Sequence, residues 1–309
     1  MLLFLAGVCS CTHKEIVCPG GEMKQITVWF DWAKAPAASP EGMTLYFYPT
    51  FHGGKIWRYD IAGAEGGKVE LPTGSYFMVS CNNDLPDIRL VGTESIDSLA
   101  ATVSKMSADG LFASTGMLYG ANVSELEISP CGVAYRSDSG VMKECGKSIV
   151  KCYPDSLATE YIVEVRQIEG AERLRSASVR LNGVSPGMYL YSEKAVDRPG
   201  RLSFGLELSP YTPRLSGSGC AFRQGDSFPT ALDMVIIRND GKSFSHRFDE
   251  TQITVNHIGA HRVLIVIDSI KVPETESPGE DVGGIDADVD GWHAIEVDIN
   301  ITIPFAAGS

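Results

Sequence analysis

The chain has 309 residues, about twice the common length of one domain, so its length favours two compact domains. Hydrophobic residues make up 44% and charged residues 21%, which argues against a disordered chain, and 32 Gly with 16 Pro indicate many turns, as in all-β proteins. With 26 Lys and Arg against 39 Asp and Glu, the formal charge is −13, which repels phosphate backbones and anionic membranes and argues against a nucleic-acid partner.

The chain begins with a short apolar run, Met1–Val8, followed by Cys9-Ser10-Cys11 and then by polar residues. A helix that crosses a bilayer needs about 20 apolar residues, so this run is too short to span one. It is typical of the hydrophobic stretch of an export signal, although the usual basic segment is missing. Cys11, which follows a serine, resembles the acceptor of a bacterial lipobox more closely than Cys9 does. We therefore expect a lipoprotein signal peptide over residues 1–10 and acylation of Cys11; the alternative is a plain apolar N-terminus.

Six further cysteines follow Cys11, and none of them stands in a Cys-x-x-Cys pair. Export permits disulfides, and six cysteines allow 15 pairings, but no dense spacing demands a disulfide framework. We expect most of these residues to be buried and to behave as small apolar side chains. They are Cys18, Cys81, Cys131, Cys145, Cys152 and Cys220.

In chain order, the first half contains short β-rich runs separated by Pro and Gly, which act as turn signals. Several of these runs alternate apolar and polar residues, the period of a strand with one buried face. Strands are predicted over Lys24–Trp32, Met43–Tyr48, Lys55–Ile61, a short segment between Gly66 and Pro72, and Ser75–Cys81. Only Ser95–Met106, which has apolar residues at helical spacing, is predicted to be a short helix.

A second series of strands follows Gly146. It is predicted at Ser148–Tyr153, Glu160–Ile168, Arg173–Leu181 and Leu202–Leu208. A tight turn is expected at Asn182-Gly183, and Asn239-Asp240-Gly241 predicts a hairpin between Leu232–Ile237 and Ser243–Phe248. Val263–Ile267 is apolar on both faces, which predicts a central strand.

Two runs of strands with almost no helix indicate two β-sandwich domains in tandem. After the signal peptide we expect a tether over residues 11–23, an N-terminal sandwich over 24–145 and a C-terminal sandwich over 146–309. Pro273–Asp290 is predicted to be an acidic loop. The strand that follows it, Ile295–Ile303, has isoleucine or valine at every second position, so one of its faces is wholly apolar.

The sequence marks of the common catalytic sites are missing. There is no Gly-x-Ser-x-Gly turn, P-loop, Gly-x-Gly-x-x-Gly turn or His-Glu-x-x-His helix. We therefore predict that the protein is not an enzyme and uses no cofactor. A pair of carboxylates for glycoside hydrolysis stays open as an alternative, because the fold sets the distance between them.

One segment resembles the first half of a calcium loop, in which alternate carboxylates surround a hard cation. The residues are Asp286, Asp288 and Asp290, followed by Gly291. The twelfth position of such a loop needs a bidentate glutamate, but Val297 stands there. A solvated acidic turn is therefore the favoured interpretation; the three aspartates are a weak calcium candidate, and no other metal site is predicted.

Two other groups of residues have the chemistry of ligands but a context that favours a structural role. His257 and His261 are four residues apart, but Gly259 lies between them in a β-rich stretch, so a metal pair is not expected. The four tryptophans lie in or beside predicted strands, so we expect core or domain-interface positions and not sugar-stacking platforms. They are Trp29, Trp32, Trp57 and Trp292.

Several segments together resemble a family of Bacteroidales lipoproteins with fimbrillin-like folds and, more broadly, the fimbrillin-associated anchor proteins. The segments are Phe30-Asp31-Trp32, Ala35–Pro49, Leu71–Tyr76, Met117–Gly120 and Leu181–Gly187. The resemblance covers most of residues 20–304 and brings no catalytic residue with it. It implies two tandem sandwich domains of the transthyretin-like or Ig-like kind.

The resemblance also implies a function. It is that of a fimbrial accessory, anchor or adhesin-type subunit, attached to the outer membrane by lipid and exposed at the cell surface. Its partners would be other fimbrial subunits or surface proteins, joined by β-augmentation, for which Ile295–Ile303 is suitable. Lys14-Glu15 resembles the charged signal of surface-exposed Bacteroidales lipoproteins. The alternative is a surface glycan-binding lipoprotein of a nutrient-uptake system, motivated by the same anchor and by the tryptophans.

Overall fold

A computed structural model describes residues 21–137, 140–145, 148–223, 231–274 and 293–295. Within these residues the chain forms 24 strands and two short 3₁₀ turns, Trp32–Lys34 and Ala171–Arg173, and no α-helix. The prediction of an all-β fold is confirmed. No helix in the described ranges is long and apolar enough to cross a membrane.

The strands are numbered in chain order. Those of the first half are β1 (Met23–Phe30), β2 (Gly42–Pro49), β3 (Trp57–Ala62), β4 (Gly66–Pro72), β5 (Gly74–Asn82), β6 (Ile88–Val91), β7 (Ala100–Val103), β8 (Leu111–Ala113), β9 (Tyr119–Ser129), β10 (Gly132–Ser137), β11 (Gly140–Cys145), β12 (Ile149–Cys152) and β13 (Asp155–Ser156). Those of the second half are β14 (Thr159–Glu169), β15 (Leu174–Ser185), β16 (Gly187–Tyr189), β17 (Lys194–Ala195), β18 (Gly200–Leu208), β19 (Leu215–Arg223), β20 (Leu232–Arg238), β21 (Ser243–Phe248), β22 (Ile253–Gly259), β23 (Arg262–Lys271) and β24 (His293–Ile295).

The first sandwich consists of a three-stranded sheet, β12-β1-β4, that packs on a larger sheet, β11-β10-β9-β5-β2-β3, with β13 beside β9. Alternate residues of β1 point inward, and Val28 is fully buried against Leu45 and Phe47 of the other sheet. The opposite residues of β1 form the outer face of the sheet. The period-2 pattern of the sequence therefore sets which side of β1 meets the core.

The second sandwich is one long sheet in the order β22-β23-β14-β19-β18-β15-β20-β21-β24, with β8 beside β18. Additional pairing between β15 and β19 brings its two halves together around a second core. Along β14, Tyr161, Val163 and Val165 are buried, as their alternation predicts. Strand β23 lies between β22 and β14, which confirms the prediction of a central strand at Val263–Ile267.

A third unit, which we call the seam, joins the two sandwiches. Its sheet, β17-β16-β7-β6, combines two strands from each half of the chain. Beneath it lies a separate apolar core in which Leu99 and Phe222 are fully buried. Since this core contains residues of both halves, the two sandwiches are packed together by apolar contacts as well as by strand pairing.

Two parallel pairings cross the division expected between residues 145 and 146. β8 pairs in parallel with β18 of the second sandwich, and β12 pairs in parallel with β1 of the first. The division expected between residues 145 and 146 stays a prediction. Because β12 and β13 both pair with strands that precede residue 146, we propose that the first sandwich extends to Ser156.

The prediction of a helix over Ser95–Met106 is wrong. The structure has β7 there, paired with β6 on one side and with β16 on the other. Leu99, Ala100 and Ala101 are buried one after another, so both faces of the chain are covered at this point. Tertiary pairing with a distant segment has overridden the local helical spacing.

The tight turn predicted at Asn182-Gly183 is also wrong. Strand β15 runs through both residues to Ser185, with a bulge between Asn182 and Val184 and a positive φ of 82° at Gly183. A glycine adopts this conformation readily, so the pair bends a continuous strand here. The hairpin predicted around Asn239-Asp240-Gly241 is confirmed, with β20 and β21 as its arms.

The cysteine prediction holds in part. Cys81 and Cys152 are buried, Cys220 is half-buried, and Cys131 is exposed, against the expectation. All four thiols are free. Burial raises the pKa of the Cys81 thiol to about 12, so this side chain is neutral at physiological pH and behaves as a small apolar residue.

Candidate functional site

A groove of about 960 Å³ lies between the outer face of strands β2 and β3 and the strand β6 of the seam. Strand β2 is buried on both faces: Leu45 and Phe47 enter the core of the first sandwich, whereas Thr44 and Tyr46 point to the groove side. The groove is lined by residues of two different sheets, among them Thr44, Tyr46, Arg58, Asn82, Arg89 and Glu94. It exists only because the seam is placed against the first sandwich.

Tyr46 of β2 lines the groove, and Tyr48, two residues along the strand, packs on its ring. The rings of Tyr46 and Tyr48 are stacked, with centroids 6.0 Å apart and planes inclined by 20°. The Tyr48 hydroxyl donates a hydrogen bond to the carbonyl oxygen of Thr93 (3.1 Å), which ties β2 to the loop after β6. Burial raises the pKa of both phenols, so they stay neutral and act as hydrogen-bond donors at physiological pH.

A charged network lies beside Tyr46. Asp60 accepts hydrogen bonds from the Thr44 hydroxyl (2.6 Å) and from Arg58 Nη2 (3.1 Å), and the Arg58 guanidinium carbon lies 5.7 Å from the centre of the Tyr46 ring. Burial acts to raise the pKa of Asp60, but the hydrogen bonds from Thr44 and Arg58 outweigh it and hold the pKa below 3.8. The carboxylate therefore remains charged and fixes the guanidinium over the aromatic ring.

A buried amide closes the other end of the groove. Asn82, with 5% of its surface exposed, accepts a hydrogen bond from the backbone N–H of Tyr119 (2.8 Å). Its Nδ2 donates to Asp84 Oδ1 (2.7 Å), and the other oxygen of Asp84 accepts from the backbone N–H of Glu41 (3.0 Å). These bonds connect the start of β2, the end of β5 and the start of β9, so the floor of the groove is held rigidly.

The groove offers an aromatic side chain, amide groups and guanidinium groups for hydrogen bonds and stacking. The lining residues that the structure describes include no histidine and no cysteine. Nearby Cys81 is fully buried and carries a neutral thiol. A site of this composition recognises a polar or extended ligand by hydrogen bonds and stacking.

Two sheet edges border the groove. β3 ends one sheet and β6 ends another, and each is paired on one side only within the described ranges. An unpaired edge presents free backbone N–H and C=O groups, which can pair with a strand of another chain. Both edges contribute side chains to the groove lining, Arg58 from β3 and Arg89 from β6.

The site residues predicted from the sequence lie elsewhere. Cys11 and the aspartates Asp286, Asp288 and Asp290 fall outside the described residues, so acylation and the calcium candidate stay predictions. His257 is on β22, and the His261 imidazole lies 3.8 Å from the Asp155 carboxylate. Within the described ranges, no group of three or more His, Cys, Asp or Glu side chains is arranged to hold a metal ion.

The tryptophans follow their prediction only in part. Trp32 and Trp57 pack against the core of the first sandwich, as expected. Trp29 is 44% exposed on the outer face of β1, so the prediction of a core or interface position is wrong for this residue. Trp292 lies outside the described residues.

The groove itself was not predicted from the sequence. Tyr46 and Tyr48 carry a local signal, because two aromatic residues at i, i+2 on the polar side of a strand indicate a second buried face. Nothing local indicates that β6, some 40 residues away, would lie opposite them, since a groove between two sheets depends on long-range pairing.

A family described as a domain of unknown function (DUF5119) matches residues 10–205. The chain belongs to this family. The match covers the first sandwich, the strands of the seam and the start of the second sandwich.

Proteins of known name or structure are similar to parts or most of the chain. The Bacteroides ovatus protein named “Putative fimbrium anchoring subunit Fim4B” is 27% identical over 174 residues, which are 53% of this chain and 49% of the relative. The chain thus matches about half the length of this curated relative. The resemblance to Bacteroidales fimbrial anchor proteins that the sequence segments indicate is confirmed.

Solved structures show the same fold. A structure of a “putative adhesin” from Bacteroides ovatus has a TM-score of 0.62 and 20% identity, and covers 89% of this chain and 100% of its own. A structure of “putative polysaccharide binding proteins” from Bacteroides thetaiotaomicron has a TM-score of 0.50 and 13% identity, and covers 71% of this chain and 78% of its own. At these identities the likeness establishes the fold alone.

Proposed function

We propose that the protein is a non-enzymatic accessory, anchor or adhesin-type subunit of a fimbria, which contacts other fimbrial subunits through β-strands. The similarity to Fim4B, whose name gives it as a fimbrium anchoring subunit, supports this role. The fold shared with the “putative adhesin” structure agrees with it. The alternative, a glycan-binding lipoprotein for nutrient uptake, is not favoured by these relatives.

The observation that carries the proposal is the pair of unpaired strand edges, β3 and β6, that border the groove. An incoming strand could pair with either edge and lay its side chains on Tyr46 and Arg58, which is recognition by β-augmentation. In the described part of the chain β22 is also paired on one side only; it ends the sheet of the second sandwich and has Ile258 half-exposed. The molecule therefore offers strand edges on both sandwiches.

The proposed attachment of the protein to the membrane depends on acylation of Cys11. Several acyl chains hold a protein firmly on a membrane, whereas a single chain holds it only marginally. We expect a protein with Cys11→Ala to leave the membrane fraction while it remains folded. A Cys131→Ala variant, which changes an exposed free thiol elsewhere, is the matched control and stays in the membrane fraction. A Cys11→Ala protein that stays bound to membranes would contradict lipid anchoring at the outer membrane.

The strand contacts can be tested by site-specific photo-crosslinking in native membranes. A photoreactive residue at Val91, which is 37% exposed at the end of β6, should capture another fimbrial subunit, identified by mass spectrometry. Tyr211, which is 92% exposed in the turn after β18, is the control position and should capture none. Equal capture at both positions, or capture of no fimbrial subunit at all, would argue against the groove edges as the contact.

A further inference from the structure

The outer face of the three-stranded sheet β12-β1-β4 carries an unusual set of exposed side chains. Met23 (48% exposed), Trp29 (44%) and Ile149 (40%) are three of the eight large apolar side chains most exposed in the described residues, and all three lie on this face. They occupy outward positions, because the alternate residues Val28 and Val150 are buried in the core behind them. We call this the outer β1 face.

The apolar side chains are accompanied by groups that favour a membrane–water interface. Lys151 lies beside Trp29 on the neighbouring strand, with its Nζ 4.6 Å from the indole centre and 5.0 Å from the centre of the Tyr153 ring. Tryptophan and tyrosine are enriched where bilayers meet water, and lysine can place its alkyl stem on apolar surface while its ammonium group remains in water.

The charge of this face differs from that of the whole chain. In the described residues its charged side chains are two cations and two anions, which cancel: Lys68, Lys151, Asp31 and Glu70. The whole chain carries −13. The outer β1 face is therefore a part of the surface that a phospholipid bilayer does not repel.

The position of the face in the chain selects lipid as its occupant. β1 begins at Met23, and Cys11, the residue for which we propose acylation, is only twelve residues before it. Twelve extended residues reach at most about 43 Å, so acyl chains on Cys11 would keep the start of β1, and with it the apolar outer face of its sheet, close to the bilayer.

We propose that the outer β1 face rests on the lipid surface, with Trp29, Ile149 and Met23 at the level of the headgroups. This inference rests on the anchor in the proposed function and adds an orientation to it. The first sandwich lies against the membrane, and its other sheet, with the groove, is turned away from it.

The test uses a chain in which residues 1–11 are replaced by six histidines and which is tethered to nickel-chelating lipids in phosphatidylethanolamine–phosphatidylcholine vesicles. Lipids with brominated acyl chains quench tryptophan emission on contact. In a Trp292→Phe background we expect the brominated lipid to lower the emission. Trp29→Phe should abolish this loss, whereas Trp57→Phe, which changes a side chain packed on the core of the first sandwich, should preserve it. If Trp292→Phe impairs folding, the comparison of Trp29→Phe with the parent chain gives the same readout.

A second pair of variants checks that the face, and not the tether, makes the contact. Ile149→Ser should reduce the quenching, whereas Ile258→Ser, at a residue of similar exposure on β22, should leave it unchanged. No quenching of the tethered chain, quenching that survives Trp29→Phe, or equal effects of the two serine variants would overturn the proposal. Because the histidine tag replaces acylation, this result is independent of the Cys11→Ala experiment.

Discussion

The guanidinium group of Arg238 forms an ion pair with the carboxylate of Asp240, two residues along the turn between β20 and β21, and only 3% of the arginine side chain is exposed. Its Nη1 also donates to the carbonyl oxygens of Pro273 (3.1 Å) and Glu274 (2.8 Å). One buried cation therefore joins the hairpin turn to the residues that follow β23.

We expect Arg238→Ala to lower the free energy of unfolding by roughly 3 kcal/mol, since it removes charged hydrogen bonds from buried carbonyl groups. Urea denaturation measures the change. Arg247→Ala is the control, because Arg247 is 70% exposed and lies 3.8 Å from Asp233, so its loss should cost less than about 1 kcal/mol. Equal losses in the two variants would show that the buried arginine does not stabilise the turn.

The seam core makes a second prediction. Phe222 is fully buried among residues of both halves, so Phe222→Ala should cost about 3–5 kcal/mol and lower the stability of the whole chain in a single calorimetric transition. Phe51→Ala, at a side chain that is 50% exposed, should change stability by no more than about 0.5 kcal/mol. Two separate transitions, of which only one shifts, would mean that the seam does not couple the sandwiches.

Substitutions of Gly66 and Gly205 distinguish the effect of backbone strain from the general effect of replacing a glycine by alanine. Gly66 has a φ of 105°, and a Cβ placed there would lie 2.1 Å from the carbonyl oxygen of Val28. Gly66→Ala should therefore destabilise the first sandwich by at least about 2 kcal/mol. Gly205 has no atom within 4 Å of such a Cβ, so Gly205→Ala should be neutral or stabilise by up to about 1 kcal/mol. Thermal denaturation of both variants checks the pair.

The pH dependence of the first sandwich includes a contribution from Asp31. The Lys151 ammonium group, 2.8 Å away, donates a hydrogen bond that holds the pKa of this carboxyl below 3.8. Because the pKa is lower in the folded chain than in the unfolded chain, the stabilisation is present above pH 3.8 and is lost as the pH falls through the folded-state value. NMR titration should show the pKa of Asp31 rising towards 3.8 in Lys151→Met. An unchanged value would contradict the role of Lys151.

The sequence predicts the strands well where one face of a strand is buried in a core and the other face is exposed. β14 and the β20–β21 hairpin follow directly from alternation and turn residues, because these signals are local. The prediction fails at Ser95–Met106, where both faces of β7 are covered and alternation disappears. It fails also at Asn182-Gly183, because the same dipeptide suits a turn and a bulge.

The groove and the outer β1 face depend on contacts that sequence does not reveal. The sequence predicts a core position for Trp29 because it stands among apolar neighbours. Trp29 belongs, however, to the alternate residues of β1 that face solvent. Its neighbour Lys151 comes from a strand that the sequence assigns to the second half of the chain. The parallel pairing of β12 with β1 decides which residues meet on the outer β1 face.

The pairing of β12 with β1 also limits the order in which strands can assemble when the chain emerges N-terminus first from a ribosome or an export channel. β1 has no parallel neighbour until residues 149–152 have appeared. Likewise, β8 cannot pair until Arg201, the partner of Leu111 on β18, has appeared. The first sandwich is complete only when β12 has appeared, and the second sandwich incorporates β8 from an earlier part of the chain. A truncation or a proteolytic cut in the middle of the chain would thus leave a sandwich with a missing strand, and the molecule matures as a single piece.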